Sequence, residues 1–477
     1  MYIPKCNCTK NNPERSEPEK FFVHFFSKKW AGLRGGSPLV GFLRATALKL
    51  GDDVVDKWKA KLKNKLKSAW KYIETFVKWV MIGSFTGGIG GLVGTLFSTT
   101  LQHANHISQS ISYLIFFMPL GGIVICGLYK MCELETDPGT NIILESVRTK
   151  KHIPWIIAPL IFFSTAMTHL LGGSAGREGA ALQLGGSLGY VVGRVTRLDE
   201  KDMHLSVMCG MSGLFSALFG TPVAACVFAI EVISVGVSYY SALVPCLISA
   251  VVSYGVALSF GVTPMHFDIT QHIPQVDFIS LSQVIVLSGL CAIVSIVFCI
   301  LMHKTPKLMK KFLKNDYLRA FAGGMIIIVL TLLVNCRDYN GAGSEIIAKA
   351  LNGEVKTEAF LLKMIFTAVT IGCGYKGGEI VPTLFIGSTF GCMMGNLLGL
   401  SPVFGAGIGM ICLFCGVVNC PFASLMLSVE LFGSQGVILF ATGCVVSYML
   451  SGYYGLYSSQ KILYSKLKAE FININAK

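Results

Sequence analysis

The sequence predicts an all-α polytopic membrane protein built from two repeats of full and broken membrane helices, and three observations carry that reading. The first is composition. Of 477 residues 53% are hydrophobic and only 14% charged, with a mean hydropathy of +0.62, whereas soluble domains carry about 25% charged residues. The second is run length. Ser112–Leu128, Ala242–Leu258 and Val284–Met302, with their flanks, reach the ~20 apolar residues a bilayer span needs, but the runs after Glu178, after Glu379 and after Pro421 are short and open at Gly or Pro. Such runs read as helices that stop inside the membrane, where irregular backbone is tolerated only if it lines a cavity or is buried in protein. The third is an internal repeat. "GREGAALQLGGSLGYVVG" (Gly176–Gly193) aligns with "GEIVPTLFIGSTFGCMMG" (Gly378–Gly395), and "PVAACVFAIEV" (Pro222–Val232) with "PFASLMLSVEL" (Pro421–Leu431). Broken helices at corresponding places in two halves point to a transporter whose site lies at the repeat interface.

Residues 1–75 form a basic extension. Residues 1–80 hold 17 Lys/Arg against 7 Asp/Glu, which supplies +10 of the net +14. Its densest part, "KWKAKLKNKLKSAWKY", sits directly before the first apolar span. It reads as an amphipathic helix on anionic lipid and as a topology anchor that places the N-terminus in the cytoplasm; no nucleic-acid partner is expected. Residues 1–50 show little periodicity and read as poorly ordered, and no charged-then-apolar segment opens the chain as a signal peptide would. "CNC" at Cys6 and Cys8 reads as incidental. Most other cysteines lie in apolar runs, where cysteine acts as a small hydrophobe, so no disulfide framework is expected.

The first membrane repeat is expected over 76–262 and the second over 263–458. A short cytoplasmic tail, 459–477, follows. The basic stretches "HKTPKLMKKFLKNDYLR" and "KILYSKLK" both belong on the cytoplasmic side, which makes the chain a multi-pass protein of the cell membrane with both termini inside.

A helix that starts within a membrane exposes unpaired N–H groups and the positive end of its dipole, and so attracts an anion to its tip. Glycines let that anion approach the backbone. Glu178 stands at such a tip, where its carboxylate can take an anion's place and be displaced by one. Burial favours its neutral form and helix N–H donors its charged form, so it can take up and release protons, and an ionisable residue within a membrane is by default a functional one. Adjacent residues at a helix start are expected to point apart, so Glu178 is not expected to be used up in a pair with Arg177.

"GREG" before one half-helix, "KGGEIVP" before its repeat partner and "GLYSSQ" after the last span resemble the CLC family of chloride channels and anion/proton exchangers, from about residue 76 to 460. The resemblance implies two inverted repeats and a homodimer in which each subunit carries its own pore. It implies no cofactor and no metal; the partners are inorganic anions (fluoride, chloride), protons and membrane lipid. Glu178 falls on the family's gate and proton-transfer glutamate, and Tyr457 on the tyrosine whose hydroxyl meets the central anion. Ile380 and Val381 fall on the backbone amides facing that anion, and Gly176, Arg177 and Gly179 on the rest of the gate motif.

Three departures refine this. "GTNII" (Gly139–Ile143) replaces the common GSGIP, so Thr140 stands in for the serine hydroxyl and Asn141 for a glycine among the anion-binding residues. Glu379 is a carboxylate where the family commonly has an apolar residue. Val232 follows Glu231 where exchangers keep an inner proton glutamate. Together these resemble the bacterial fluoride/proton antiporter branch, although that branch often has threonine at the place of Val381. The expected function is therefore fluoride export by a fluoride/proton antiporter, with a chloride channel or chloride/proton exchanger of the same fold as the alternative.

Lys376, three residues before Glu379, offers the plainer explanation that Glu379 is one half of an ion pair. Glu231 and Glu430 occupy equivalent places in the two repeats and are expected to bond freed backbone N–H groups at helix breaks. His169 reads as a hydrogen-bonded histidine rather than a metal ligand, and the glycines of "GGIGG" as helix packing. An enzyme would need a catalytic constellation such as HExxH, GxSxG or a metal cluster, and nucleotide-binding regulatory domains would need more chain after Tyr457; none of these is expected.

Overall fold

A computed structural model describes residues 38–134, 139–149 and 151–477, the side chains of 38–55 excepted. Cys6, Cys8 and residues 1–37 of the basic extension lie outside the described residues. Helix begins at Pro38, within the segment read as poorly ordered. Among the described residues there are sixteen α-helices, which fall into two sets of eight. The first set is α1 (Pro38–Ser110), α2 (Met118–Met131), α3 (Thr140–Arg148), α4 (Ile157–Leu170), α5 (Glu178–Val195), α6 (Glu200–Phe219), α7 (Pro222–Glu231) and α8 (Leu243–Ser259). The second is α9 (Phe278–Phe312), α10 (Asp316–Val334), α11 (Ser344–Leu351), α12 (Ala359–Gly372), α13 (Ile380–Leu397), α14 (Pro402–Val418), α15 (Pro421–Phe432) and α16 (Val437–Leu450). From the third helix of each set onward the partners match in order, and α5 and α13 both have 18 residues. Residues 77–477 form one compact unit.

Six described helices are long and apolar enough to cross a membrane; α9 is the most apolar, with a window of mean hydropathy 3.0. The helices α4, α7, α12 and α14–α16 are apolar but have only 10–17 residues. The runs after Glu178 and Glu379 prove longer than expected. Their glycines do not end the helices because they are contact points: a Cβ on Gly185 would lie 2.3 Å from Gly210 O, and one on Gly387 2.5 Å from Gly409 O. Thus α5 packs backbone to backbone on α6, and α13 does the same on α14, as small residues permit in a membrane. The "GGIGG" glycines also pack: a Cβ on Gly87 would lie 2.5 Å from Ser249 O of α8.

The two repeats hold each other's broken ends. Glu231, at the end of α7, accepts from Phe422 N (3.3 Å) and Ala423 N (2.8 Å) at the start of α15. Glu430 of α15 accepts from Val223 N (2.9 Å) and Ala224 N (2.8 Å) at the start of α7. Both helices open with proline, whose missing N–H is an orphan position anyway, and each carboxylate satisfies two of the donors that remain. The expected structural role of this glutamate pair is what the geometry displays.

Among the described residues the helical fold carries one small sheet. β1 (Ser234–Val235), just after α7, pairs in parallel with β2 (Lys461–Tyr464), which pairs antiparallel with β3 (Phe471–Asn475). Val235, Ile462 and Ala476 bury a small apolar cluster beneath it. The segment read as a tail is therefore a hairpin added to a strand of the first repeat.

Candidate functional site

The strands leading into α5 and α13 meet at an isolated antiparallel bridge. Gly176 N donates to Gly378 O (2.6 Å) and Gly378 N to Gly176 O (2.7 Å). These are the residues the repeat alignment pairs, so the antiparallel contact marks the axis relating two inverted repeats. Two residues on, α5 starts at Glu178 and α13 at Ile380, and two helix N-termini converge on one buried region. Neither N-cap residue, Arg177 or Glu379, caps its own helix through its side chain.

Glu178 is fully buried and folds back over the start of α5. Its Oε2 accepts from Arg177 N (3.0 Å) and its Oε1 from Arg177 Nε (3.3 Å). The expectation that these neighbours point apart is thus corrected: they form an ion pair. The reason lies in what holds the guanidinium. Its remaining nitrogens donate to Ser98 Oγ and Leu218 O, both at 3.1 Å, which anchors Arg177 to α1 and α6 and leaves Nε facing the carboxylate.

Glu379 is placed differently. Its Oε2 is buried and accepts no hydrogen bond among the described residues. It lies 2.7 Å from where a Cβ on Gly179 would be, and Glu178 Oε2 lies 2.9 Å from the same point on Gly176. Lys376, the expected ion-pair partner, places Nζ 4.0 Å from the ring centroid of Tyr129.

The remaining predicted residues surround the two helix starts. Thr140 Oγ1 donates to Gly179 O (3.2 Å), so the α3 start touches the α5 start. Asn141 Oδ1 accepts from Ser459 N (2.9 Å) and ties α3 to the segment carrying Tyr457. Ile380 and Val381 are buried as the first residues of α13, where N–H groups have no intrahelical acceptor. The Tyr457 hydroxyl is buried without a hydrogen-bond partner among the described residues. Hydrogen-bond donors from two repeats and two carboxylates thus share one buried region, in which a small anion and a carboxylate can compete for the same donors.

His169 is hydrogen-bonded as expected: it lies between Asn105 Oδ1 (3.0 Å) and Gly176 O (3.3 Å), and so braces the bridge. Sequence reasoning missed one support. Gln460 spans both repeats, and only its place at the end of "GLYSSQ" hinted at it. The expectation that no Gly-x-Ser-x-Gly is present is corrected: the spelling occurs at Gly172–Gly176 and Gly185–Gly189. Ser174 Oγ pairs with Thr367 Oγ1, and Ser187 Oγ has no hydrogen-bond partner among the described residues, so neither serine is hydrogen-bonded to a base among them.

Residues 121–452 match the family described as voltage gated chloride channel. The chain belongs to this family, the CLC proteins. A "Chloride/fluoride channel protein" of Pseudomonas syringae pv. tomato is 32% identical over 396 residues, covering 82% of this chain and 87% of the relative. The "H(+)/Cl(-) exchange transporter ClcA" of Vibrio cholerae is 27% identical, covering 66% and 70%. Among solved structures, a CLC-type fluoride/proton antiporter superposes with a TM-score of 0.78 at 29% identity, covering 80% of this chain and 98% of that one. A slow cyanobacterial Cl−/H+ antiporter shares the fold, with a TM-score of 0.67 at 19% identity and coverage of 78% and 94%. The protein is therefore a CLC-type anion transporter, a multi-pass integral membrane protein, in a family of channels and transporters.

Proposed function

We propose that this CLC protein is a fluoride/proton antiporter that exports fluoride across the cell membrane, with Glu178 as both gate and proton carrier. One observation carries the reading: a second carboxylate, Glu379, is buried at the start of α13 with an oxygen that accepts no hydrogen bond, against Gly179 beside the gate. A carboxylate inside a membrane costs about 2.5–3.5 kcal/mol on insertion scales, so one buried with an oxygen left open is retained for a task. Charged Glu178 takes the Arg177 N–H at the start of α5; on protonation it releases this donor and an anion takes its place. Ile380, Val381 and Gly179 supply backbone donors and Tyr457 a hydroxyl, while Thr140, Asn141, Gly176 and Arg177 frame the cradle. Fluoride, the smallest halide, gains most from such short-range donors. The names borne by the Pseudomonas relative and the antiporter structure support the choice.

A chloride channel or chloride/proton exchanger is the second reading, favoured by the buried apolar Val381 at the cradle and by the Vibrio relative's exchange of chloride. Purified protein in liposomes separates the two. Anion efflux and proton uptake are recorded together under fluoride and then chloride gradients. Proton uptake driven by fluoride but not chloride is expected; equal coupling to chloride would overturn fluoride, and no proton movement with either would leave a channel. The active form is a homodimer with one pore per subunit. Light scattering in detergent should give twice the chain mass, and a fully active monomer would contradict it.

A further inference from the structure

Tyr457 reaches the site on a segment without regular structure, Tyr453–Gln460, yet its hydroxyl has no protein partner to aim it. Its orientation must come from how that segment is held. Leu456 N donates to Val417 O at 2.9 Å. The fully buried Gln460 donates through Nε2 to Val232 O and Val418 O, each at 2.9 Å, which ties the segment to the ends of α7 and α14, one from each repeat. Gln460 Oε1 accepts from Asn419 Nδ2 (3.2 Å), which also donates to Tyr454 O (2.9 Å).

The hairpin completes this arrangement from outside the helices. Lys466, in the β2–β3 link, reaches back to donate to Asn419 Oδ1 (2.5 Å), Tyr448 O (2.8 Å) and Ser451 Oγ (3.2 Å). Beyond β3, Ala476 N donates to Gln460 O (2.9 Å) and Lys477 N to Tyr453 O (2.8 Å), while Gly455 N donates to Lys477 O (3.2 Å). The polarity of the network is set from both ends, by the carbonyls of Val232, Val418 and Tyr454, which only accept, and by Lys466. An ammonium only donates, so Lys466 holds Asn419 with its oxygen toward the lysine and its NH₂ toward Gln460. That in turn leaves the Gln460 NH₂ for the two carbonyls. Without Lys466 the Asn419 oxygen loses its donor and the hairpin its side-chain tie to the amides, and the hold on the segment slackens.

We infer that the hairpin is a clasp and that Lys466 is a positioning residue, which through Asn419 and Gln460 aims the Tyr457 hydroxyl at the transported anion. The inference rests on the reading above that Tyr457 meets the anion. The full-length protein in liposomes tests it, with KM for fluoride and chloride measured for wild type, Lys466→Met, Tyr457→Phe and the double variant. Lys466→Met and Tyr457→Phe should each raise KM about tenfold, the order expected for losing one aligned hydrogen bond. The double variant should be no worse than Tyr457→Phe alone, and Lys466→Arg should restore most of the affinity. Should Lys466→Met not fold, Lys466→Gln serves: it fills the same space but can accept as well as donate, and should show the same non-additive rise. Additive effects, or Lys466 variants that lower the melting temperature while KM stays at wild type, would overturn the clasp. If Tyr457→Phe raises KM and the Lys466 variants do not, only the clasp fails. If Tyr457→Phe leaves KM unchanged, Tyr457 is not an anion ligand and both readings fall.

Discussion

Glu178 and Glu379 differ in what holds them, and that difference separates their expected phenotypes. Glu178 is gripped by its neighbour's backbone and guanidinium, so Glu178→Gln keeps the volume and most of the contacts while removing the titrating proton. Anion flux should persist and coupled proton uptake should fall to the level of empty liposomes; stoichiometric proton pumping in this variant would refute the gate. Glu379 has an oxygen with no hydrogen-bond partner, so Glu379→Gln should fold normally, yet lose fluoride preference or coupling by about an order of magnitude. A wild-type transport profile would remove the residue-level support for fluoride. Of these two residues the sequence disclosed the identity and position, because glycine-framed charges in an apolar run are rare. It could not disclose the Arg177–Glu178 pair, because that depends on Ser98 and Leu218, which lie 79 and 41 positions away.

The broken helices are stable because each half-helix borrows an acceptor from the other repeat. Glu231 and Glu430 each take two backbone N–H groups across the interface between α7 and α15. Glu430→Ala leaves both donors at the α7 start without an acceptor, at a cost of about 2 kcal/mol or more. Glu430→Gln retains one acceptor oxygen and should lose roughly half as much. Thermal melts in detergent should rank wild type above Gln above Ala, with anion selectivity unchanged among the folded variants; a selectivity change would move this glutamate from scaffold to pathway. The repeat, the half-helices and this pair were legible because duplication writes them twice. The extent of α5 and α13 was underestimated, since a glycine reads as a break until the helix it touches is known. The β1–β2–β3 sheet was invisible, because two residues after α7 carry no strand pattern without their partner 227 positions on.

Inverted repeats fix the two faces of the protein relative to each other, and the distribution of lysines decides which face is inside. α9 ends in a run that includes Lys304, Lys307, Lys310 and Lys311, and Lys314 follows in the short exposed link before α10. By the positive-inside rule this link is cytoplasmic. α10 then runs 19 residues from Asp316 to Val334, about 28 Å at 1.5 Å per residue, enough for one crossing of a hydrocarbon core of about 30 Å. The segment beyond it must therefore face the exterior, and Cys336, a free and partly exposed thiol two residues past the helix, is a native reporter there. A membrane-impermeant maleimide added to intact cells should label Cys336, as read by mass spectrometry of the tryptic peptide. The same reagent added to inside-out vesicles should spare Cys336 and, in the Lys314→Cys variant, label position 314. The reversed pattern would invert the whole domain, place the basic extension outside, and require fluoride export to run in the opposite sense through the same two half-helices.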